Sequence, residues 1–124
     1  MTGSVLKAEK KSFTFALEGI AYAIKTQLNF KIQITAGLLA ILAAFILGFD
    51  RGEWLVLLIV ICLVLSAELA NTVIETVVDL AMPDVHPKAK TVKDLSAGVV
   101  LLVSAFAVLI GLVLFYPHIA LLFG

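Results

Sequence analysis

The chain has 124 residues, 62% of them hydrophobic, and its mean hydropathy is +1.14. A soluble domain carries about 45–50% apolar residues, so a water-soluble class is excluded and a membrane class expected, with length for one domain over 1–124. Nine basic and nine acidic residues cancel to a formal net charge of zero, and no nucleic-acid partner is expected.

Residues 1–11 are short and basic and are expected to be mobile. Ser12 is the expected N-cap of a first helix over 12–28. Phe13, Ala16, Leu17, Ile20 and Ile24 share one face at helical spacing, with Glu18, Tyr22 and Lys25 on the other. Such a helix suits the membrane interface, and packing against the protein's own helices is compatible with that. Glu18, Lys25 and Lys31 interrupt the apolar pattern, so no cleavable leader is expected.

The first spanning helix is expected over 32–49, near the lower length limit for a ~30 Å hydrocarbon core. Residues 48–53 read as a turn. Trp54 opens a second span, where an interfacial aromatic is favoured, and the helix is expected to run to 82. Pro83 and Pro87 end it. The third span is expected over 95–116, with Asp94 a candidate N-cap and Tyr116-Pro117-His118 at the far interface. Ser96, Ala97, Gly98, Ser104, Ala105 and Gly111 permit close helix contact there. The single Cys62 has no disulfide partner and reads as a small hydrophobe.

Lys7, Lys10, Lys11, Lys25 and Lys31 precede the first span, and Lys88, Lys90 and Lys93 lie between the second and third. Arg51 sits alone in the other loop. The positive-inside rule then places the N-terminus and the 83–94 loop in the cytoplasm, and the 50–53 turn and the C-terminus outside.

The second span carries the most telling pattern. Leu55 to Leu65 holds no charge, yet the same helix continues through Glu68, Asn71, Glu75 and Asp79. At about 100° per residue those four fall within an arc of roughly 80°. A charge in a membrane helix costs roughly 2.5–3.5 kcal/mol on insertion scales and commonly marks function. Counting from Trp54 at 1.5 Å per residue, a ~30 Å core ends after about 20 residues, near Ile74. Glu68 is therefore expected in the inner leaflet, Glu75 at the boundary and Asp79 just beyond it. That line suits chemistry between a membrane-embedded substrate and a water-soluble one. The residues can hold a divalent cation, which takes hard oxygen ligands. They can supply a general base. They can also be polar glue between helices.

Lys88 and Lys90 read as topogenic charge. Lys93-Asp94 sits at the start of the third span, where a lysine can reach phosphate. His86 and His118 are too isolated for a metal pair. No Walker A, kinase Gly-rich loop, HExxH or GxSxG pattern occurs.

The run Glu68-Leu-Ala-Asn71-Thr72-Val-Ile-Glu75-Thr-Val-Val-Asp79 resembles the signature of the small prokaryotic diacylglycerol kinase / undecaprenol kinase family. Lys90-Thr-Val-Lys93-Asp94-Leu-Ser-Ala97-Gly98 resembles its second signature, and Gln27-Leu-Asn29-Phe30-Lys31-Ile-Gln33 a third, weaker one. Order, spacing and hydropathy agree from about Ser12 onward. The resemblance implies an all-α integral membrane lipid kinase, an interfacial helix plus three spans in a homotrimeric bundle in the bacterial inner membrane. It implies MgATP as phosphoryl donor and a membrane lipid alcohol as acceptor, with active sites shared between subunits. By the same resemblance Glu68 is the catalytic base, Asn71 an active-site hydrogen-bonding residue and Glu75 a metal ligand. Lys93 binds phosphate, Asp79 and Asp94 lie on the nucleotide side, and Phe15 is the aromatic near the nucleotide.

Two positions depart from the pattern. Family members commonly carry Glu at the position of Gln27, where it helps hold the metal, and Gln offers only a neutral carbonyl oxygen. Position 33 often carries His in the undecaprenol kinase branch, and here it is Gln33. The ending Val108-Leu-Ile-Gly111-Leu-Val-Leu-Phe115-Tyr-Pro117 is more similar to that branch, which favours undecaprenol over diacylglycerol. No single residue of the sequence reads the lipid tail. Two other classes stay open. A small transporter would use the stripe as a pathway, though Leu55 to Leu65 seals the outer half. A non-catalytic assembly subunit would leave the stripe and Lys93-Asp94 unexplained.

Overall fold

The computed structural model describes all 124 residues as four helices with no strand. Helix α1 spans Thr2–Thr26, α2 Leu28–Leu47, α3 Arg51–Ala81 and α4 Pro87–Phe123. The last three are long and apolar enough to cross a membrane.

Each helix begins earlier than the sequence pattern suggests, and a local cap or propensity explains each case. Residues 1–11, expected to precede the first helix, are themselves helical: α1 starts at Thr2, and Ser12 lies in its interior rather than at its N-cap. Leu, Ala, Lys and Glu in that stretch are strong helix formers, and no proline interrupts them. Gln27, expected inside the first helix, is instead the break between α1 and α2, with extended dihedrals of φ −105 and ψ 108. Its N–H still bonds Ala23 O at 2.9 Å, and Lys31 N–H bonds Gln27 O at 3.2 Å. One residue thus caps both helices, and Asn29-Phe30-Lys31 belongs to α2 rather than to a flank.

Helix α2 ends at Gly48, whose φ of 72 and ψ of 47 lie in the left-handed region that glycine adopts without a Cβ clash. The turn is shorter than expected. Asp50 and Glu53 form a capping box, with Glu53 N–H on Asp50 Oδ1 and Asp50 N–H on Glu53 Oε2, each at 2.9 Å. Arg51, Gly52 and Glu53 are therefore already helical.

Helix α4 opens on Pro87 in its first turn, with His86 Nδ1 accepting from Lys88 N–H at 3.1 Å. Asp94, the candidate N-cap, lies about two turns inside. The helix also runs through Pro117, which removes one backbone hydrogen bond without ending it.

Helix α3 is the hub, and α1, α2 and α4 all pack on it. Gly37 lets α2 approach closely: a Cβ there would lie 3.2 Å from Ile61 Cγ2. Ala44, Phe49 and Leu57 are buried near the α2–α3 turn, against Trp54 and Phe115. Phe49 stacks on His118, and His118 Nε2 pairs with Glu53 Oε1 at 2.9 Å. Only nine of 124 residues are buried in the single chain. The outward apolar surface is what a lipid or subunit environment would cover. On α1, Ala23 is buried while Phe13, Leu17, Ile20 and Ile24 point outward, so the two readings of this helix coexist on adjacent faces.

Candidate active site

The polar stripe of α3 is one surface, as its periodicity requires. Its burial is graded. Glu68 is 3% exposed and Asn71 9%, Glu75 is half-buried, and Asp79 is exposed. Thr72 Oγ1 donates to Glu68 O at 3.0 Å and Thr76 Oγ1 to Thr72 O at 2.8 Å, so the hydroxyls beside the stripe are satisfied by their own helix.

A buried carboxylate is costly unless hydrogen-bonded. Glu68 has one side-chain partner: Gln33 Nε2 donates to its Oε2 at 3.2 Å across the α2–α3 interface. An ionised carboxylate accepts about four hydrogen bonds, so acceptor capacity remains for an incoming hydroxyl. Two neighbouring acceptors, Gln33 Oε1 and Asn71 Oδ1, are buried with no partner in the chain. Orphaned buried acceptors are rare in native proteins and call for a donor from elsewhere. A hydroxyl is a donor of that kind. Gln33 is the residue that sequence reasoning underweighted. It was legible as a polar side chain in an apolar span, the same signal that singles out Glu68.

One turn further, Asn71 Nδ2 donates to Glu75 Oε1 at 3.3 Å. Glu75 Oε2 has no partner in the chain, and no three carboxylate, histidine or cysteine side chains cluster tightly enough to cage a cation. That donor set fits Mg²⁺, which is commonly held by one or two carboxylates plus substrate phosphates.

At the loop end, Lys93 Nζ donates to Asp79 Oδ1, linking α4 to α3. Lys90 pairs with Asp94 within α4. Asp79, Asp84, His86, Lys90, Lys93 and Asp94 line a polar cleft of about 340 Å³ at this end. Ser96, unmarked by the sequence patterns except as a small residue, is buried three positions beyond Lys93.

Not every candidate converges. Gln27 is half-buried at the α1–α2 break, and its side chain makes no hydrogen bond to the stripe. Phe15 is 56% exposed on α1, with Lys11 Nζ 5.8 Å from its ring centre.

Residues 14–115 match the family model described as prokaryotic diacylglycerol kinase. The chain belongs to that family. The matched stretch contains the whole stripe, Gln33 and Lys93, and stops before the His118–Glu53 contact is complete. Over 107 residues the chain is 42% identical to a diacylglycerol kinase of Synechocystis, covering 86% of this chain and 61% of that protein. It is 36% identical over 107 residues to an undecaprenol kinase of Bacillus subtilis, covering 86% of this chain and 87% of that one. A diacylglycerol kinase of Pseudomonas aeruginosa is 31% identical over 84 residues, 68% of each chain. With three long apolar helices, this member of the family is a multi-pass membrane protein.

Proposed function

We propose that this chain is a lipid kinase that moves the γ-phosphoryl group of ATP onto the hydroxyl of a membrane lipid. The observation that carries the reading is Glu68, a buried carboxylate with one amide partner, on a stripe that leads to Lys93. Relatives named for both diacylglycerol and undecaprenol support the class. We favour undecaprenol, with diacylglycerol the alternative.

Glu68 accepts the proton of the lipid hydroxyl as its oxygen attacks phosphorus. Gln33 holds the carboxylate from α2, and Asn71 holds Glu75. Phosphoryl transfer needs positioning and charge neutralisation more than covalent chemistry. Glu75 would hold Mg²⁺, with Gln27 the second candidate, and the cation would supply charge neutralisation on the phosphates. Lys93 binds phosphate. Its pairing with Asp79 is solvent-accessible, and such pairs are worth only about 0–1 kcal/mol, so an incoming polyphosphate displaces it readily. Asp79, Asp94 and Phe15 lie on the nucleotide side.

One subunit has too little enclosed surface for both a nucleotide and a lipid. That supports a homotrimer with sites shared between subunits. The lysine distribution supports a bacterial inner-membrane location with the N-terminus in the cytoplasm.

The test is purified protein in detergent micelles with Mg²⁺ and γ-labelled ATP, offered undecaprenol and diacylglycerol side by side. Label on undecaprenol is the expected result. Label mainly on diacylglycerol overturns the substrate. Label on neither, from folded protein, overturns the kinase reading and favours the assembly subunit.

A further inference from the structure

Helices α2 and α4 both pack on α3 and scarcely touch each other. Over α3 they leave a groove of about 280 Å³. Small residues on both walls, Ala36 and Ala40 of α2 with Ala107 and Gly111 of α4, keep it open, and no charged residue lines it. One end opens at Gln33, whose amide donates to Glu68 and whose Oε1 is buried without a partner. At the other end stands Phe115, packed on Phe49 with ring centres 4.8 Å apart.

We infer that this groove receives one hydrocarbon chain of the lipid alcohol, with the hydroxyl at Glu68 and Gln33 and the tail running toward Phe115. The inference rests on the kinase reading above and names its lipid-tail site. The lining selects the occupant: the walls are apolar, with no charged residue, as a hydrocarbon chain requires. Continuity with the buried Glu68–Gln33 pair gives the direction: the polar end of the ligand has acceptors only at the Gln33 end.

Gly111 offers a clean probe. A Cβ added there meets nothing within 4 Å, so a larger side chain grows into the groove and not into the backbone. Val113, 75% exposed and on another face of α4, serves as the control. The experiment measures kcat/KM of the full chain, G111L and V113L for dimethylallyl alcohol, farnesol and undecaprenol. Dihexanoylglycerol and dioleoylglycerol replace them if acylglycerols carry the label. We expect G111L to lose about tenfold more activity on the long chains than on the short one, equivalent to about two buried methylene groups. V113L should show no such discrimination. Equal loss on all lipids, or none, overturns the groove while the kinase reading stands. Dispersal of the oligomer by G111L, seen by light scattering, makes the groove a subunit contact and also overturns it. No label on any lipid with unmodified protein overturns both.

Discussion

Gln33 and Glu68 lie 35 residues apart and meet through one hydrogen bond of 3.2 Å, the only side-chain bond that Glu68 makes. The amide donates to Oε2, so Oε1 is the oxygen left free to accept. Replacing Gln33 by Leu leaves a buried carboxylate without a donor, at a cost of about 1–3 kcal/mol. We expect Gln33→Leu to lower kcat by tenfold or more with little change in KM for ATP. A change confined to KM for ATP would place Gln33 on the nucleotide side instead.

Glu68→Gln keeps the shape and removes the base. Turnover should fall by about 10²–10⁴, the usual contribution of general base catalysis. The oligomer should stay intact by light scattering. Full activity in this variant would remove Glu68 from proton transfer.

Gln27 and Glu75 test the cation site as a pair. Gln27→Glu adds the carboxylate that family members commonly carry and should tighten apparent Mg²⁺ affinity, read as a lower Mg²⁺ concentration for half-maximal rate. Gln27 sits at the α1–α2 break, half-buried. Unchanged or weaker Mg²⁺ dependence would separate Gln27 from the metal.

Lys93 and Asp79 should behave unequally. Lys93→Met removes a phosphate-binding cation and should raise KM for ATP by about tenfold or more, the scale of one lost charge-assisted hydrogen bond. Asp79→Asn removes the exposed partner and should cost less than about 1 kcal/mol of stability. Equal thermal destabilisation by both would make the pair structural.

His118 and Glu53 close the far end of the bundle, where Phe49 stacks on the imidazole at 4.9 Å between centres. Both side chains are mostly shielded. His118→Ala and Glu53→Gln should each lower thermal stability by about 1–3 kcal/mol, and the double variant by less than their sum, because the contact between the two is already lost in each single variant. Full additivity would show that the two residues act independently.

Much of this protein is written locally. Three spans, the break at Pro83 to Pro87 and the single-face stripe follow from hydropathy and the 3.6-residue period, which need no knowledge of neighbours. The helix starts are also local: the Asp50–Glu53 box and Pro87 are cap signals in the sequence, although hydropathy alone reads such polar caps as loop. What the sequence could not determine is which side chains meet across helices. Gln33 on Glu68, Lys93 on Asp79, His118 on Glu53 and the groove beside Gly111 depend on the rotation and register of whole helices. Those are set by close contacts such as Gly37 against Ile61, summed along α3. A residue's period places it on a face. Only packing decides what that face touches.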